Sequence, residues 1–162
     1  MELTNARPVG VAAKVGAGII TLWSVLHLWV GVEGVRQFFM GDARSQWDMF
    51  LGGSAAPHAA FVHATDAITA NVHAHEIVNF SVDVGGYGAL ALVTAWMIAK
   101  RGSWVGYLLF LVVVGICDLA FTFSLVTSGI IELNAGTVGG PVLWVIACLV
   151  TPFGLPRPFS GA

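Results

Sequence analysis

The stretch that decides the fold is Trp104–Thr127, WVGYLLFLVVVGICDLAFTFSLVT, in which Asp118 is the single charged residue. A helix needs about 20 mainly apolar residues to cross the hydrocarbon core of a bilayer. This run supplies them without a break. An acid inside such a run is costly to insert, so it marks an enclosed polar space or a partner rather than a lipid-facing position.

Working outward, the same test finds three more spans. Lys100 and Arg101 close an apolar run that begins near Ile77 and ends at Ala99. Farther upstream, Val11–Val35 contains IITLWSVLHLWVGV. Downstream, Val138–Leu155 is closed by Pro152 and Pro156, with Pro141 expected in its first turn, where a missing N–H costs little. The reading is all-α: an integral membrane four-helix bundle forming one transmembrane domain over 1–162, with spans at about 11–35, 77–99, 104–127 and 138–155. Composition agrees, with 57% hydrophobic residues, 10% charged and a mean hydropathy of +0.83. Soluble domains carry roughly 25% charged residues. In water this chain would lack the polar surface to cover itself.

Charge placement suggests an orientation. Arg7 and Lys14 flank the start of the first span, Lys100 and Arg101 fill the second link, and Arg157 follows the fourth span. The third link, SGIIELNAGTVG at 128–139, has no Lys or Arg. Cytoplasmic loops carry the excess of Lys and Arg, so both termini are expected in the cytoplasm of a multi-pass protein of a bacterial-type plasma membrane. The first apolar run is long and no small-residue cleavage site follows it closely, so it reads as a retained signal-anchor. A net charge of −2 without a basic stripe argues against nucleic acid as a partner. Cys117 and Cys148 lie within apolar runs and read as small hydrophobes, not as a disulfide.

The outer segment Gln37–Glu76 is the unusual piece. It carries Trp47, Phe50, Phe61 and the histidines His58, His63, His73 and His75. Its alanine-rich part, AAPHAAFVHATDAITANVHAHE, favours helix and reads as an extracytoplasmic amphipathic helix at the interface.

At about 1.5 Å of rise per residue, sequence position converts to depth. Asp83 falls about 9 Å, His27 about 12 Å and Asp118 about 14 Å below the outer ends of three different spans. Glu33, Glu76 and Glu132 lie nearer the outer mouth of the same spans. The inner halves hold almost nothing ionisable. Three titratable groups at similar depth point to a polar cavity enclosed by the bundle, where an acid with a costly charge becomes a usable general acid or base. At about 100° per residue, Glu76, Asn79, Asp83 and Tyr87 share one face of the second span. Asp118 and Thr122 share a face of the third, and Trp144 on the fourth is a further candidate wall. The plainer role for such groups is interhelical hydrogen bonding. Gly85, Gly86, Gly88 and Gly115 are placed to let helices approach closely.

HLWVGVEG at 27–34 resembles the His…Glu-Gly pattern of sterol-isomerase-like membrane proteins, over that stretch alone and with a different spacing; no residue role is carried across. The residues point first to a small membrane-embedded enzyme without a cofactor. It would perform isomerisation, cyclisation or hydration on a lipophilic molecule such as an isoprenoid, a sterol-like lipid or a polyketide. Asp83 and Asp118 would be the acid–base pair and His27 the proton relay. Glu33, Glu76, Asn79, Tyr87, Thr122, Glu132 and Trp144 would shape the site. Two rival classes stand beside this. One is a non-catalytic subunit of a larger membrane complex or a homo-oligomer. The other is an electron-transfer protein holding a metal ion, haem or quinone. For a metal, His73 and Glu76 at i, i+3 are the candidate ligands, with His58 and His63 nearby; HEIVN lacks the second histidine of H-E-x-x-H.

Overall fold

The computed structural model describes residues 8–41, 45–47 and 64–156, and every regular element among them is helical. Four helices are long and apolar enough to cross a membrane: α1 (Val11–Met40), α2 (Ala67–Arg101), α3 (Trp104–Val126) and α4 (Ala135–Gly154). The protein is an all-α four-helix bundle.

Local chemistry explains where each helix stops. α1 and α2 end at Gly41 and Gly102, whose φ values of 68° and 57° place them in the left-handed region that glycine reaches without strain. Asp66 begins α2 by accepting the Thr69 N–H at 2.8 Å. Ser103 starts α3 in the same way, and Asn134 starts α4 with a reciprocal Asn134–Thr137 capping box. Lys100 and Arg101 sit in the last turn of α2, where cations oppose the helix dipole favourably.

The helices outrun the expected spans at the end of the bundle away from the Lys100–Arg101 link. α1 continues to Met40, and α2 begins at Ala67 rather than near Ile77. Much of 67–76, expected to lie in the interface, is thus the first part of a 35-residue helix. At about 1.5 Å per residue this helix exceeds the ~30 Å hydrocarbon core, so its first turns project beyond it. The rest of the expected interfacial segment, 48–63, lies outside the described residues. α4 also begins earlier, at Ala135, so Pro141 stands inside the helix and not in its first turn. The physical reason is the Asn134 cap, which starts the helix before the apolar run does.

The exterior is apolar, with Val11, Trp29, Val105 and Phe153 exposed, while Ser24, Ser81, Thr94 and Thr151 are buried. Each of these hydroxyls donates to a carbonyl of its own helix. This inversion suits lipid, where greasy surface gains nothing by hiding and small residues let helices meet. Gly31 of α1 crosses Gly85 of α2 so closely that a Cβ on Gly31 would lie 2.6 Å from Gly85 Cα. Gly154 packs against the backbone of Ala13, and Gly10 N–H donates to Gly154 O at 2.9 Å. Trp104 Nε1–H donates to Pro156 O at 2.7 Å. The start of α1, the α2–α3 link and the end of α4 are therefore joined at one end of the bundle.

Candidate functional site

α1 places Trp23 and His27 at i, i+4, one above the other on a single face. Their rings stack with centroids 3.5 Å apart. Phe110 of α3 meets the Trp23 ring edge-on at 6.1 Å. Trp23 is fully buried, and its Nε1–H donates to Asp118 Oδ2 at 2.8 Å. The carboxyl that α3 carries into the membrane thus has a fixed donor from α1.

Asp118 itself is 3% exposed. It sits in the α-helical stretch Gly115–Phe121, between two π-helical segments at Phe110–Val114 and Thr122–Val126. Each π segment inserts surplus backbone into the helical repeat and turns the following residues to a new face. Thr122, expected to share the Asp118 face, donates its hydroxyl to the Asp118 carbonyl four residues earlier at 2.8 Å and does not line the cavity described below.

His27 Nδ1 lies 2.8 Å from the Trp23 carbonyl oxygen. A carbonyl only accepts, so Nδ1 carries the hydrogen. In neutral imidazole that leaves Nε2 bare, and Nε2 faces Asp118 Oδ1 at 3.8 Å. This separation is too long for a direct hydrogen bond.

The pair opens onto a cavity of about 370 Å³ bounded by all four helices. Trp29 of α1, Phe80 and Val84 of α2, and Cys117 and Phe121 of α3 form its apolar sides, and Ala135, Gly136, Thr137, Gly139, Gly140 and Pro141 of α4 complete the lining. Half of these α4 residues are glycines. At Gly140 a Cβ would lie 3.0 Å from His27 Cε1 and 3.2 Å from Asp118 Oδ1, whereas at Gly139 it would meet nothing within 4 Å. Pro141 has no N–H to offer the Thr137 carbonyl four residues earlier. Leu26, Trp29, Ala135 and Gly136 of the lining are exposed, so the cavity is open between α1 and the start of α4.

Of the three residues expected to handle protons, the structure brings together His27 and Asp118 but not Asp83. Asp83 is exposed on α2, with Asn79 Nδ2 at 3.4 Å, and does not line the cavity. Glu76, Asn79 and Tyr87 share that side of α2 and are also absent from the lining. The reason is rotation: Phe80 and Val84 take the inward face, and the neighbouring positions turn away by about 100° per residue. Glu33 accepts from Arg36 Nε at 2.7 Å and from Gln37 Nε2 at 2.9 Å near the C-terminal end of α1. The Glu132 side chain is exposed, while its carbonyl accepts the Thr137 hydroxyl at 2.8 Å. Trp144 lies one turn below the cavity against Gly115, and its buried Nε1 has no hydrogen-bond partner among the described residues.

His73 meets the Trp47 ring edge-on beside a hollow of about 120 Å³, and His75 Nδ1 is 2.8 Å from Asn71 O. His58 and His63 lie outside the described residues. Among the described residues no group of three His, Cys, Asp or Glu is placed to hold a metal ion. Cys117 and Cys148 are free thiols. Sequence reasoning missed Trp23, Gly139 and Gly140. The Trp23–His27 spacing and the Gly-Gly-Pro at 139–141 were the available signals.

No protein-family model, curated protein or solved structure matches the chain. The functional reading therefore rests on the geometry of this site.

Proposed function

We propose that the protein binds a lipophilic small molecule in the four-helix cavity and shifts a proton on it, an isomerisation-type reaction with His27 and Asp118 as the acid–base pair. The observation that carries this reading is the placement of His27 Nε2 and Asp118 Oδ1 3.8 Å apart on the wall of a partly open, mainly apolar cavity between the helices. Two groups so placed can share one proton, held by either of them or by a ligand. Such a pair can withdraw a proton from one carbon of a substrate and return it to another. The reaction is neutral in electrons, so it needs no oxidant and no nucleotide. Trp23 orients both partners, through its carbonyl to His27 and its indole N–H to Asp118. The basic end of the bundle, with Lys14, Lys100 and Arg101, would face the cytoplasm.

The test uses protein in lipid nanodiscs, a β,γ-unsaturated ketone on a hydrophobic ring system, and D2O as solvent. Conjugation of the product is followed by ultraviolet absorbance and deuterium gain by mass spectrometry. Asp118→Asn and His27→Gln are each expected to slow the reaction by about 100-fold or more, the usual size of a general acid–base contribution. Asp83→Asn should leave it unchanged. Full rates in both cavity variants would remove the proposal.

One observation favours a second reading, a non-catalytic subunit of a membrane complex. Asn79 and Asp83 present an exposed polar face on α2, and polar groups on a span usually meet a partner or water. A membrane protein that co-purifies with the wild type and is lost from Asp83→Leu would support that role.

A further inference from the structure

We infer that Gly140 is a positioning residue for the His27–Asp118 pair, its missing side chain being what lets the two groups stand next to one another against α4. The inference rests on the acid–base reading for its function, while its geometry is tested without any turnover.

Glycine is a poor helix former, second only to proline, so a glycine inside α4 asks for a reason. Close contact between helices is the reason elsewhere in the bundle. At Gly31 the three atoms nearest an added Cβ all belong to the α2 backbone. Gly140 differs in kind. Its three nearest atoms are His27 Cε1 at 3.0 Å and His27 Nε2 and Asp118 Oδ1 at 3.2 Å each, all side-chain atoms of the pair. A methyl there would press on both sides of the 3.8 Å gap at once. Gly139, one residue earlier, has nothing within 4 Å of its own added Cβ, so the constraint belongs to position 140 and not to the Gly-Gly step.

The pair has little freedom to give way. Favourable carbon contacts lie at about 3.5–4.0 Å, so a methyl at 140 asks its neighbours to move by a few tenths of an ångström. Both neighbours are tied to Trp23. The His27 ring stacks on the indole with centroids 3.5 Å apart, and its Nδ1 lies 2.8 Å from the Trp23 carbonyl oxygen. Asp118 Oδ2 accepts the Trp23 Nε1–H at 2.8 Å. A retreat of α4 would instead unseat Trp144, one turn after Gly140, from its place against Gly115. The strain therefore falls on the relation between Nε2 and Oδ1. Trp23 holds the pair from α1, and Gly140 makes room for it from α4.

The test joins magnetic resonance to kinetics. Wild-type protein with isotope-labelled histidine, tryptophan and glycine should show a nuclear Overhauser contact between a Gly140 Hα and the His27 ring proton on Cε1. Gly140→Ala should move the His27 ring and Trp23 indole resonances, which His27→Gln and Trp23→Phe assign. Gly86→Ala, whose methyl meets nothing within 4 Å, should move neither. With the β,γ-unsaturated ketone as substrate, Gly140→Ala should lower kcat about tenfold or more and leave KM within about twofold, since misplacing a reacting group by about 1 Å can cost about 100-fold. Gly86→Ala should keep both at wild-type values. A folded Gly140→Ala protein with wild-type kcat would overturn the inference. So would unmoved His27 and Trp23 resonances, or a rise in KM alone. Should Gly140→Ala not fold, the wild-type Overhauser contact decides: its presence supports the placement and its absence overturns it. Failure of the acid–base reading looks different, with Asp118→Asn turning over at full rate while the contact and the shifts persist. Full rate in Gly140→Ala beside an inactive Asp118→Asn defeats the positioning role alone.

Discussion

Asp118 shows what a carboxyl needs in order to stand in the middle of an apolar helix. It has one strong donor, Trp23 Nε1–H at 2.8 Å, and one titratable neighbour, His27. Trp23→Phe keeps the ring stack but deletes the donor, leaving a buried acceptor unpaired. Such a loss costs about 1–3 kcal/mol, and it should appear as a lower midpoint when the protein is unfolded with SDS in mixed micelles. Asp66 is the contrasting case, a carboxyl at the watery start of α2. The Thr69 backbone N–H holds its carboxyl below the usual aspartate range. A folded value depressed in this way gives a contribution that is present above the unfolded value and fades as pH falls through the folded one. The Thr69 amide resonance should therefore titrate with a midpoint below that of a free aspartate, and Asp66→Asn should abolish the titration. His27 and Asp118 were legible as residues of interest because charge in an apolar run is conspicuous. The partner of Asp118 was not, because an indole N–H in an apolar run looks like any other core aromatic.

At the scale of the helices, small residues set the distances. Gly31→Ala pushes a methyl against Gly85 Cα and Ser81 O, both backbone atoms that cannot swing aside. Overpacking of this kind costs about 1–3 kcal/mol. Gly86→Ala meets nothing within 4 Å and should be neutral or stabilising by up to about 1 kcal/mol from helix propensity. Thermal unfolding in one detergent compares the two, and an equal loss in both would contradict the crossing at Gly31–Gly85. Gly85 and Gly88 could be read in advance as contact glycines, and both are. Gly86, grouped with them by proximity in sequence, points outward. The π segments around Asp118 could not be read, since surplus backbone in a helix leaves no mark in the spacing of apolar residues.

For the whole molecule, the joined ends predict a labelling pattern. Cysteines replacing Lys100 and Glu132 should react with a membrane-impermeant maleimide from opposite faces, with Lys100 on the cytoplasmic one. Reaction of both from the same face would break the topology. The sequence by itself determined the number and approximate position of the crossing helices, because the length and greasiness of a run are local sums that a bilayer reads directly. It also marked which crossing helices carry ionisable groups, because a charge inside an apolar run is conspicuous. Only the tertiary structure decided which of those groups meet. Rotation of a helix about its axis is set by its neighbours, through the Gly31–Gly85 crossing, the π segments of α3 and the early start of α4 at Asn134. Those contacts turned Asp118 toward His27 and Trp23 and left Asp83 on the outside of the bundle.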